Sequence, residues 1–124
     1  MADTSFRPVV YLKEKCPFCL KVRIFLLESG LARDVEIREF APGTPEEDSM
    51  KGELAPHFEK VTFPSAQVEP GHFINDSDGI VRHFADKTNA DPAQMPTFSS
   101  YVGGAFQQLM NLYRENAELK KQLA

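Results

Sequence analysis

No stretch of this 124-residue chain approaches the roughly 18 consecutive apolar residues that a membrane-spanning helix needs, so no membrane span is expected. Positive charge is not in excess either: 14 Lys and Arg stand against 18 Asp and Glu, a formal net charge of −4. Nucleic acid and anionic membrane surfaces select basic patches, so neither is an expected partner. The first residues, MADTSFRPVVYL, lack a charged segment followed by a long apolar one. No secretory leader is read there, and the expected compartment is the cytoplasm. Cysteine is scarce, with only Cys16 and Cys19, three residues apart in KEKCPFC. In a reducing compartment that scarcity excludes a structural disulfide framework. A zinc site wants four ligands, and the chain has no second C-x-x-C. Its three histidines, His57, His72 and His83, show no zinc-ligand spacing, so no metal is expected. Internal repeats and low-complexity segments are also missing, which leaves one domain of ordinary size.

What is present reads as alternating strands and helices. RPVVYL is a short β-branched run, with a strand expected over 8–12. Val22, Phe25 and Leu26 then recur at helical spacing, with Pro17 suited to a first turn and Gly30 to a C-terminal cap. A helix is expected over 17–29, a strand over 34–40, and a helix over 45–54 started by Thr44, Pro45 and Glu47. Beyond Pro64 a strand is expected over 65–69, and HFINDSDGIVRHF reads as strand, turn, strand about Asp78-Gly79. The chain closes with one long helical pattern from Thr97 to Leu123.

Two cysteines three apart at a helix start have three readings: a redox pair, part of a metal site, or two buried small residues. Position favours the first. Cys16 would meet the unpaired N–H groups and positive dipole end of the helix, with Lys13 and Lys15 beside it. Such surroundings lower a thiol pKa from about 8.5 to roughly 3.5–7.5. Cys19, one turn further on, lies within reach of a mixed disulfide formed on Cys16.

YLKEKCPFC followed by an amphipathic helix resembles the active-site start of dithiol glutaredoxins and the N-terminal domain of glutathione S-transferases. The later TFP at 62–64 resembles the T-V-P segment of that fold, and the resemblance spans residues 8–86. It implies a thioredoxin-like α/β fold of order β-α-β-α-β-β-α, with a four-stranded mixed sheet and an extended C-terminal helix. It also implies an activity: glutathione-dependent thiol–disulfide oxidoreduction, with Cys16 as nucleophile and Cys19 as resolving thiol. Glutathione enters as co-substrate, and protein or low-molecular-weight disulfides as partners. For the tripeptide the resemblance implies contacts from Lys13, Phe18, Thr62, Phe63, the cis-proline Pro64 and Asp86. The chain departs from the pattern after the hairpin. VRHFAD stands where glutaredoxins carry Gly-Gly and transferases an acid-Ser pair, and EPGHFINDSDG reads as an insertion.

Residues 1–96 are thus expected to form a glutaredoxin-like domain and 97–124 a long helix packing on it. Within that helix Ala105, Leu109, Leu112, Asn116, Leu119 and Leu123 step by four and three, a heptad seam that predicts a homodimer through residues 105–123. A complete transferase would need a further helical domain, which a single helix does not supply. Two other functions stay open: a non-enzymatic glutathione-binding or redox-sensing module acting through the C-terminal helix, and an iron–sulfur carrier, which Cys19 argues against.

Overall fold

Residues 6–123 are described in a computed structural model. The outer ends of the two expected segments, residues 1–5 and Ala124, lie outside the described residues. Strand β1 (Val9–Lys13) is followed by α1 (Pro17–Ser29), β2 (Glu36–Phe40), α2 (Pro45–Leu54), β3 (Ser65–Glu69), β4 (His72–Ile74), α3 (Ser77–Thr88), α4 (Pro96–Gly103) and α5 (Ala105–Leu123). The strands lie in the order β2-β1-β3-β4. Parallel β1 and β2 pair Val10 with Ile37, and antiparallel β1 and β3 pair Tyr11 with Ser65. A parallel pair needs a crossover long enough to carry a helix, which α1 provides.

Strand alternation sorts the core into two faces. Val10 and Leu12 point to one face, where Val22, Phe25 and Leu26 of α1 and Ile80 and Phe84 of α3 pack against them. Tyr11 points to the other, against Phe40, Met50 and Leu54 beneath α2. Full burial of each large apolar side chain contributes about 1.5–3 kcal/mol. Lys21 on α1 is 6% exposed yet charged. Its ammonium pairs with Asp78 at the start of α3 and sits 5.1 Å above the Phe106 ring, so one buried cation ties three helices together.

The largest correction concerns residues 77–85. There is no turn at Asp78-Gly79, because both belong to α3. The hairpin turns at Pro70-Gly71 instead, where Gly71 takes a φ of 74° and Glu69 pairs with His72. The segment EPGHFINDSDG comprises that turn, β4 and the capped start of α3. Asp76 is the N-cap, accepting the Gly79 N–H at 2.7 Å. Ile80, Val81, Phe84 and Ala85 are the buried stripe. Their spacing of one, three and one is helical, although the short window IVRHF also reads as alternation.

The long closing helix is broken in two. Gly104, with φ −114° and ψ −103°, separates α4 from α5. A Cβ there would lie 2.6 Å from the Ser100 carbonyl oxygen, so the break requires glycine. Helix α4 is held onto α1 by Glu28, whose carboxylate accepts the Thr97 N–H at 3.0 Å and the Phe98 N–H at 2.7 Å. Phe98 packs edge-on against Phe25 with centroids 5.8 Å apart. Phe106 is the buried residue of α5, and from Asn111 onward the helix is exposed. Smaller differences occur elsewhere. Residues Leu31–Asp34 form a 3-10 turn ahead of β2. Thr44 precedes α2, but its hydroxyl donates to the Ala41 carbonyl at 2.6 Å rather than capping the helix.

Candidate functional site

The tip of β1 and the start of α1 present the two thiols, both unbridged. Lys15 takes a left-handed φ of 60°, which turns the chain sharply between strand and helix. Cys16 is the N-cap of α1, and its sulfur accepts the Cys19 N–H at 3.4 Å. Pro17 follows at the first helical position, where its missing N–H leaves nothing unpaired. Cys16 is half-buried, whereas Cys19 is 2% exposed and accepts the Lys13 N–H at 3.3 Å.

This arrangement pushes the two thiols in opposite directions. The Cys16 pKa falls to about 6, chiefly through a hydrogen bond from the Cys19 thiol. Backbone N–H groups of Cys19 and Phe18 and the charge of Lys13 help, and partial burial opposes them. The Cys19 pKa rises far above the ordinary thiol range, because its proton is held on the Cys16 sulfur and because it is buried. Near neutral pH the pair is thus one thiolate and one thiol, the poise of a nucleophile with a proton-bearing neighbour.

A cleft of about 310 Å³ opens beside Cys16. Lys13, Lys15, Arg23 and Glu39 line it together with both cysteines, and Tyr101 and Leu109 close it from α4 and α5. Tyr101 donates its hydroxyl proton to the Pro17 carbonyl at 2.7 Å. Burial and the Cys16 charge together raise the Tyr101 pKa. Neither Tyr101 nor Leu109 was among the sequence candidates for the site, and Leu109 was read as part of the heptad seam.

The remaining candidates occupy several places. Phe18 is 38% exposed on α1, its ring edge-on to Phe106 with centroids 5.3 Å apart. The Phe63–Pro64 peptide bond is cis. Because the β1–β3 ladder ends at Tyr11–Ser65, Phe63 and Pro64 come alongside the end of β1 from which the Cys16 loop departs. Phe63 packs against Phe40. Thr62 donates its hydroxyl to the Asn75 carbonyl at 3.2 Å, and its own carbonyl accepts the Ser65 hydroxyl at 2.5 Å. The first bond joins the TFP loop to the segment leading into α3, and the second closes the loop onto the start of β3. Asp86 is not at a helix or turn start: it lies in the later turns of α3. It lines a separate cleft of about 590 Å³ with Lys21, Asp78, Phe98 and Val102. The acid that does begin a helix is Asp76, followed by Ser77. Misreading α3 as a strand pair concealed it, although N-D-S-D ahead of an apolar stripe is a helix-start signal.

Comparison with known proteins is consistent with this geometry. Residues 10–92, more than half of the chain, match the family described as glutathione S-transferase, N-terminal domain. No curated protein sequence matches the chain. Among solved structures, oxidised glutaredoxin 2 from Chlamydomonas reinhardtii superposes with a TM-score of 0.51 at 20% identity, over 81% of this chain and 85% of its own. A glutathione S-transferase from the Antarctic clam Laternula elliptica gives a TM-score of 0.51 at 20% identity, over 66% of this chain. The match spans only 35% of the clam transferase. These two likenesses establish a thioredoxin-like fold.

Proposed function

Because the chain belongs to the glutathione S-transferase N-terminal-domain family, we propose that it binds glutathione and performs thiol–disulfide exchange through Cys16. One observation carries this reading: a half-buried thiol at the N-cap of α1, with its pKa near 6, beside a buried thiol that keeps its proton.

The chemistry follows from that poise. The Cys16 thiolate attacks the glutathione sulfur of a mixed disulfide. A bond forms between Cys16 and glutathione, and the other thiolate leaves and takes up a proton. Capping Cys16 removes the thiolate that held the Cys19 proton, which is the main reason for the high Cys19 pKa. Cys19 then loses its proton more readily and attacks the Cys16 sulfur, releasing glutathione and leaving a Cys16–Cys19 disulfide. Two further glutathione molecules reduce that disulfide, becoming one glutathione disulfide. Alternatively, a single glutathione thiolate attacks the mixed disulfide before Cys19 does.

The tripeptide is proposed to lie between α1 and α3. Its cysteinyl backbone pairs with Phe63 as an added strand, and a carboxylate meets Lys13. The N-terminus of α3 takes over the role first read at Asp86. Its unpaired N–H groups favour the γ-glutamyl carboxylate, and Asp76, whose carboxylate already caps Gly79, accepts from the ammonium. The decisive assay is reduction of a glutathione mixed disulfide. Cys16→Ser is expected to abolish it, and full activity in that variant would refute the reading.

A second reading rests on α5. Leu112, Leu119 and Leu123 are 59%, 57% and 87% exposed, an apolar seam with Asn116 among them. We propose that this seam pairs with the seam of a second copy, whose polar Asn116 sets the register. A chain that binds glutathione without turnover, but changes its oligomeric state on oxidation, would be a redox sensor rather than an enzyme.

A further inference from the structure

Glu69 and His72 flank a two-residue turn and His83 lies well beyond them, and the three belong to different elements, β3, β4 and α3. The fold brings them together. Glu69 and His72 face each other across the Pro70-Gly71 turn, and α3 carries His83 over the same end of the hairpin. Glu69 Oε2 lies 3.8 Å from His72 Nδ1 and 3.9 Å from His83 Nε2. One ligand atom from each of the three falls within 4.8 Å of the others. Neither separation is a hydrogen bond, so the three atoms converge without satisfying one another.

A second observation points to a ligand. Among the described residues His83 Nε2 is a buried side-chain nitrogen with no hydrogen-bond partner, and it faces this cluster. A buried polar atom left unpaired costs about 1–3 kcal/mol, and an ion is one of the few things that offset it. The Glu69 carboxylate is already divided between two duties. Oε1 accepts from the Lys87 ammonium at 2.8 Å, which anchors the carboxylate and leaves Oε2 turned towards the histidines.

We propose that Glu69, His72 and His83 bind a divalent transition-metal ion of the zinc, copper and nickel group. Two imidazoles and one carboxylate are the donors such ions favour over magnesium or calcium, which prefer oxygen alone. Metal–ligand bonds of about 2.0–2.2 Å in tetrahedral geometry set donor atoms about 3.4 Å apart, so small side-chain rotations complete the site. Three protein ligands leave the fourth position to water or an exogenous group. The site is at the opposite end of β3 from Pro64, about 15 Å along the strand, and is independent of the thiols.

The test is calorimetric titration of Zn²⁺ into the full chain, without a histidine tag. Cys16→Ser and Cys19→Ser are both introduced, so that any zinc taken up by the thiols is kept out of the count. One ion per chain is expected. His72→Ala, at an exposed hairpin position, should weaken binding by more than the about 10–100-fold that loss of an outer partner costs. Glu69→Gln should weaken it as well, whereas Lys87→Met should tighten it by freeing the carboxylate from a competing cation. His57→Ala, whose ring stacks on Phe73 away from the cluster, should change nothing. Absence of binding, or equal binding in the parent and the His72→Ala variant, would overturn the assignment.

Discussion

Cys16 and Cys19 share one proton, and most of the site's chemistry follows from where that proton rests. Alkylation of the reduced chain by iodoacetamide should rise with pH through a midpoint near 6, as the Cys16 thiolate forms. Below that midpoint Cys16 is protonated and slow; Cys19 stays slow throughout, being buried and protonated. Cys19→Ala removes the thiol donor. A hydrogen bond to a charged group contributes about 1.5–3 kcal/mol and each pKa unit is about 1.4 kcal/mol, so its loss moves the midpoint up by about 1 unit or more. An unmoved midpoint would mean that backbone N–H groups and Lys13 alone hold the thiolate. Mass-resolved alkylation of the parent and the variant checks this directly.

Among the elements, α3 and the α4–α5 break depend most on single residues. Asp76 is expected to act twice, as N-cap and as a glutathione contact. Asp76→Asn keeps a capping oxygen, so its thermal midpoint should stay close to the parent's while glutathione affinity falls. Asp76→Ala loses the cap as well, at about 1 kcal/mol of stability. If the two variants bind glutathione as the parent does, the α3 terminus is structural only. At the break, Gly104→Ala forces a Cβ against the Ser100 carbonyl and should cost about 1–3 kcal/mol in denaturant unfolding. It should also open the cleft, because Tyr101 and Leu109 reach Cys16 from either side of that residue.

For the whole molecule, the thioredoxin-like body and the projecting half of α5 have different jobs. The body has its apolar residues in two cores, one on each face of the sheet. The outer half of α5 exposes leucines that one copy of the chain does not cover. Sedimentation at high micromolar concentration is expected to show a dimer. Leu112→Glu with Leu119→Glu should give a monomer of unchanged thermal stability, since neither side chain packs on the body. A parent that sediments as a monomer would refute pairing through this helix.

The geometry of residues 13–19 was legible in the linear sequence because it is local. A helix start, a proline at its first position and thiols one turn apart need only neighbouring residues to set their geometry. The β-α-β opening was legible for the same reason, whereas the pattern from Thr97 to Leu123 read as one helix, and the break at Gly104 rests on the close approach of its backbone to Ser100. Residues 77–88 were not, since a stripe of Ile80, Val81, Phe84 and Ala85 satisfies two periods over so short a window. Burial against the sheet selects the helix, and that selection puts Asp76 at its start and Asp86 in its later turns. Tyr101 over the thiols and the meeting of Glu69, His72 and His83 were decided by tertiary structure alone. They join atoms from separate elements, and no spacing within the chain encodes a distance that only the packed sheet and helices create.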